Sequence, residues 1–175
     1  MVNEVYVTYQ FSINGDGLYY PAISLYFSGC DKKIKCVNCH NHELQRIGLG
    51  NKTNSKEIIE TIEKQLSEWL SIYPKMAICY LGGEALAPWN RDVTYSVSKY
   101  FKNKYGNKIK NIVYSWRYLE DLEELKDKIR YMDLGVLGDF KQELFVQNQV
   151  PSSSNQYIYD FNRQVKLPNI IKEDF

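Results

Sequence analysis

Apolar and polar positions alternate along the chain in a regular order of short runs and longer amphipathic stretches. Residues 22–27 (AISLYF) form a brief apolar run ending in Ser28-Gly29, the pattern of a strand that feeds a loop. Asn54 or Ser55 is placed to cap a helix reaching Leu70, with Ile58, Ile59, Ile62, Leu66 and Trp69 at helical spacing. A continuous apolar strand is expected over 76–81 (MAICYL), broken by Gly82-Gly83. A second helix should begin at Asn90 or Asp92, run through Tyr105 and stop at Gly106-Asn107. Strand 109–115, helix 119–130 with Leu122, Leu125 and Ile129 on one face, and strand 132–137 follow. A polar stretch, 151–156, then precedes an alternating strand at 158–161.

Strand and helix in turn imply an α/β fold with a mostly parallel sheet and right-handed crossovers. Ligands of such sheets bind at the carboxyl ends of the strands. Gly29-Cys30, Gly82-Gly83-Glu84 and Tyr114-Ser115-Trp116 all fall at such ends. No repeat, low-complexity tract or Pro/Gly/Ser linker divides the 175 residues, so one domain over 1–175 is expected, too short for a complete eightfold β/α barrel. The balance of 22 basic against 21 acidic residues lacks the basic excess of a nucleic-acid-binding face. No apolar run is long enough to span a membrane, and MVNEVYVTYQF has no basic-then-apolar leader pattern, which points to a cytoplasmic protein.

Candidate chemistry lies in the loop 28–50. Three of the four cysteines, Cys30, Cys36 and Cys39, fall within ten residues. Without a secretory leader, clustered thiols indicate metal or redox chemistry. Three readings stay open from the residues alone. Zinc would take His40 or His42 as a fourth ligand. An iron–sulfur cubane would keep one iron open. Cys36-Val37-Asn38-Cys39 as a bare redox pair would leave Cys30 unexplained. His42 reads as an ordinary loop residue, and Cys79, inside MAICYL, as a small core residue. Gly82-Gly83 lets a ligand approach the backbone, and Glu84 adds an acceptor for an ammonium group. Asn14-Gly15-Asp16-Gly17 is a turn signal.

Taken together, SGC-DKKIK-CVNC-HN and the later LGGEALAPWN resemble the radical S-adenosylmethionine (SAM) enzymes. NGDGLYY, CHNHEL, MDLGVLGDFKQEL and SSSNQYIYDF extend the resemblance to the activating proteins of glycyl-radical enzymes, closest to that of anaerobic (class III) ribonucleotide reductase. This chain departs from the family pattern in the five residues between Cys30 and Cys36 where three are usual. It also departs at Asn38, at Ala85 in place of proline, at Trp116 in Tyr114-Ser115-Trp116, and at Asp16 where the family has proline.

The resemblance implies a partial β/α barrel of the radical SAM type and a [4Fe-4S] cluster on Cys30, Cys36 and Cys39, with SAM on the open iron and His40 not a ligand. It also implies adenine flanked by backbone groups of Asn38, Cys39 and His40, and the methionyl ammonium at Gly82, Gly83 and Glu84. The implied partners are a flavodoxin-type electron donor and, as protein substrate, the large subunit of anaerobic ribonucleotide reductase. Two alternatives stand beside it: radical SAM chemistry on another peptide or small molecule, and a zinc-binding module.

Overall fold

A computed structural model describes residues 3–172. Ten strands and two α-helices follow one another in the order β1 Val5–Ser12, β2 Ala22–Phe27, β3 Asn51–Thr53, α1 Ser55–Ile72, β4 Met76–Gly82, α2 Arg91–Tyr105, β5 Ile109–Ser115, β6 Leu134–Leu137, β7 Gln149–Val150, β8 Tyr157–Asp160, β9 Val165–Leu167 and β10 Ile170–Ile171. Eight of the strands make one mixed sheet in the order β3-β1-β2-β4-β5-β6-β8-β9. Its centre, β2-β4-β5-β6, is parallel and takes the strands in chain order.

The expectation of a mostly parallel sheet is corrected at the flanks. β1 and β3 on one side, and β8 and β9 on the other, all pair antiparallel. The connections explain two of these pairings: the turn between β1 and β2 and that between β8 and β9 are too short for a crossover and can join only antiparallel neighbours. No element is expected from sequence over 5–12, although Val5, Val7, Tyr9 and Phe11 alternate with period two.

Alternation sorts the central strands onto two faces. Ile23, Leu25 and Phe27 of β2, with Met76, Ile78 and Tyr80 of β4, face the helices and join Ile58, Ile62 and Leu66 of α1 and Val93, Val97 and Phe101 of α2 in the larger core. Burying each such aliphatic side chain contributes about 1.5–3 kcal/mol. The opposite face carries a smaller apolar group, Ala22, Ala77, Cys79, Leu81, Ile112 and Leu134. Cys79 is therefore a fully buried core residue, as its apolar run predicts.

Both α-helices begin and end close to the expected places. The Asn54 side chain accepts from the Glu57 N–H at 3.1 Å, and Gly106 closes α2 with φ at 55°. The helix expected over 119–130 is instead a 3₁₀-helix, Leu119–Leu125, followed by turns. Leu119, Leu122 and Leu125 recur every three residues, the 3₁₀ period, which puts all three on one edge against the core. Among the described residues no helix is long and apolar enough to cross a membrane.

Candidate iron–sulfur site

A cavity of about 320 Å³ opens at the carboxyl ends of the four parallel strands. Its walls include Cys30 beyond β2, Gly82 to Glu84 at the end of β4, Ser115 and Trp116 at the end of β5, and Gly138 beyond β6. The three strand-end segments singled out in the sequence thus meet at one place.

The cysteine loop leaves β2 and returns beside it. Gly29 N–H donates to the Leu44 carbonyl at 2.7 Å and Cys30 N–H to that of Gln45 at 3.0 Å, closing the loop at its neck. Gly29 has φ of 92°, and a Cβ there would overlap the Trp89 indole and Ile47, so only glycine fits. Cys30, Cys36 and Cys39 are free, half-buried thiols, and all three line the cavity. Burial pushes the Cys30 and Cys36 thiols above the ordinary thiol range. The longer Cys30–Cys36 spacer folds back on itself: the Lys35 ammonium donates to the Cys30 and Lys32 carbonyls, and that of Lys32 to the Ile34 carbonyl at 2.7 Å. Lys32 also lies 3.5 Å from Asp139, beyond β6.

His40 lines the cavity and packs on Phe140 with ring centroids 4.8 Å apart. His42 is exposed and pairs with Glu43, the ordinary loop role. Asn38 takes the left-handed conformation, φ 54°, that asparagine tolerates in a tight turn. Its side chain points to Gln142 rather than lining the cavity, donating at 3.3 Å. Thus Cys39 and His40 belong to the wall, and Asn38 does not.

Gly82 and Gly83 are required by packing. Gly83 N–H donates to the Phe27 carbonyl at 2.7 Å. A Cβ on Gly82 would overlap the Phe27 backbone, and one on Gly83 the Leu44 and Gly29 carbonyl oxygens. The end of β4 is thereby pressed backbone-to-backbone against the neck of the cysteine loop. Glu84 is 1% exposed. Its carboxylate accepts the Leu86 N–H at 3.0 Å and the Trp116 N–H at 3.1 Å, and lies 3.4 Å from the Arg117 guanidinium. Full burial raises its pKa to about 7, while Arg117 and the two N–H groups pull the other way.

Several residues make contacts at the site that the sequence reading did not foresee. Buried Asn90 donates to the Ser28 carbonyl at 3.1 Å and the Glu84 carbonyl at 2.9 Å, tying the loop neck to the β4 end. Asp16 does more than turn the chain. Its carboxylate accepts from Ser24 at 2.9 Å and from Tyr26, its carbonyl accepts from Tyr114 at 2.7 Å, and it lines the cavity floor. The side chains of SSSNQ staple the end of β6: Gln156 donates to the Gly138 carbonyl at 2.9 Å and Asn155 to that of Asp139 at 2.7 Å. Period and charge carry no trace of such long-range polar contacts.

The donor set can be tested against the metals it suits. Among the described residues no three His, Cys, Asp or Glu side chains are grouped to hold a metal ion. The thiolates of a cubane each bind a different iron, and three free thiols around one cavity supply that donor set. No curated protein proves similar to the chain. The profile of the family described as "4Fe-4S single cluster domain" matches residues 13–159, from the turn before β2 to β8, a span that contains every thiol and strand end described above. The chain therefore belongs to the 4Fe-4S single cluster domain family.

Proposed function

We propose that the chain is a radical SAM activase that installs a glycyl radical on anaerobic ribonucleotide reductase. The observation that carries this reading is the meeting, at one cavity, of three free thiols with the GGE bend of β4 and the SSSNQ segment, the motifs of the resemblance. The run of parallel strands in chain order, with both α-helices on one face, supports a partial β/α barrel of the radical SAM type.

Cys30, Cys36 and Cys39 would hold a [4Fe-4S] cluster, which, with a flavodoxin-type donor, would supply the one-electron chemistry for reductive cleavage of SAM and hydrogen abstraction from the partner's glycine. The chain's own residues bind and position. With only three cysteines in the loop and the His40 ring tilted against Phe140, three thiolates would hold the cluster and leave a position for the amino and carboxylate groups of SAM. Cys39 and His40 offer a wall for the adenine, with Asn38 shaping the turn between the last two ligands. The Gly82-Gly83-Glu84 bend would face the methionyl end. There the buried Glu84 side chain braces the bend, its oxygens engaged by Leu86, Trp116 and Arg117.

Mixing the reconstituted, reduced protein and SAM with the reductase large subunit should generate the doublet of a glycyl radical in electron paramagnetic resonance. SAM cleavage without that doublet would assign the chain to a different substrate. One observation favours that second reading: Asp16 places a carboxylate on the cavity floor, where the family carries proline.

A further inference from the structure

Two carboxylates from different elements converge on one dipeptide beyond β5. Asp31 directly follows Cys30; Glu84 directly follows the Gly82-Gly83 bend. Trp116 reaches both, its indole Nε1 donating to Asp31 at 3.0 Å and its backbone N–H to Glu84 at 3.1 Å. Arg117 reaches both as well, with Nη2 on Asp31 and Nη1 3.4 Å from Glu84. The Arg117 side chain is 8% exposed and that of Asp31 17%. A guanidinium is a rigid planar fork, so one that bonds Asp31 through Nη2 and lies in ion-pair range of Glu84 through Nη1 ties the two carboxylates together, and in a buried setting this link is little loosened by water.

We propose that Trp116 and Arg117 are positioning residues that clamp the Cys30 end of the cysteine loop to the β4 bend, setting the first thiol against the opposite cavity wall. Cys36 and Cys39 sit in the exposed part of the same loop, where Ile34 and Val37 face solvent. With Cys30 held from its neck and from Asp31, the length of the spacer that follows can vary without moving it.

The chain contains its own control. Cys79 is fully buried in the core beneath the cavity, so its alkylation reports general loosening of the fold. Trp116→Phe and Arg117→Lys each remove clamp bonds while conserving charge. In the full, cluster-free chain, iodoacetamide labelling read at each cysteine by mass spectrometry should be about tenfold faster at Cys30 in both variants, with Cys79 unchanged. Rates at Cys30 within about twofold of the unaltered chain would overturn the clamp. So would equal acceleration of Cys36 and Cys39, or acceleration of Cys79 in step. A second readout rests on the function proposed above: in the reconstituted variants, iron content should be kept while the change SAM makes to the cluster's paramagnetic spectrum weakens. An unaltered protein whose cluster shows no such change contradicts that function and leaves the labelling result standing.

Discussion

Glu84 is a carboxylate in a place that disfavours charge. Its pKa in the fold, about 7, lies above the ordinary 4.5. Between those values the folded chain binds more protons than the unfolded one, so stability falls as pH rises from 4.5 toward 7 and is level above. Glu84→Gln should remove this segment of the curve. Denaturant unfolding of the cluster-free chain at pH 5 and pH 8 should show the variant gaining about 2–3 kcal/mol relative to the parent as pH rises; parallel curves would contradict the assignment. The four cysteines divide as sharply. Alanine at Cys30, Cys36 or Cys39 should abolish iron retention after reconstitution, whereas Cys79→Ala should keep the iron and lose about 1 kcal/mol of stability, as for any small buried group. This division was legible in sequence, because Cys79 sits in an apolar strand and the others in a polar loop. That Glu84 is already engaged was not, since Trp116 and Arg117 lie more than thirty residues away and meet it only through the β4–β5 pairing.

At the level of elements, the parts that position the site are the short ones. Asn90 stands at the start of α2 yet caps no helical N–H group; its amide instead holds the Ser28 and Glu84 carbonyls. Asn90→Ala should strand both acceptors and cost about 2–3 kcal/mol, read by urea unfolding, with poorer cluster retention; an unchanged midpoint would refute that role. Gly83→Ala is a sharper test of the same joint, because the added methyl overlaps the Leu44 and Gly29 carbonyls. It should displace the loop neck and depress iron binding even where the chain still folds. Sequence periodicity found both α-helices and the four parallel strands, whose faces are set by burial. It mistook the 3₁₀ segment Leu119–Leu125 for α-helix, because leucines three apart suit either period over so short a span. It passed over β1, whose Tyr9 and Phe11 are only partly buried and gain much of their cover from α1, with Phe11 stacked on Trp69 at 4.0 Å between ring centroids.

For the whole molecule, the sheet explains why distant motifs act together. Parallel strands in chain order bring all their carboxyl ends to one edge, so segments separated by about fifty residues along the chain share the wall of one cavity. The antiparallel flanks widen the sheet and return SSSNQ to the end of β6, beside the cysteine loop. The α/β class, the parallel centre of the sheet and the strand ends that meet at its edge could thus be read from sequence. The cavity floor at Asp16 and the Trp116–Arg117 link could not, because both depend on tertiary contacts between residues whose own neighbourhoods suggest a turn and a strand end. The central claim is that three thiolates at this edge hold a cluster with a position open to SAM. The direct measurement is anaerobic reconstitution with iron and sulfide, then reduction in the presence of SAM and quantification of 5′-deoxyadenosine. The account predicts about four irons per chain and 5′-deoxyadenosine formation that disappears in Cys30→Ala, Cys36→Ala and Cys39→Ala but persists in Cys79→Ala. A colourless protein holding a single zinc, or a fully loaded cluster that leaves SAM intact, would contradict it.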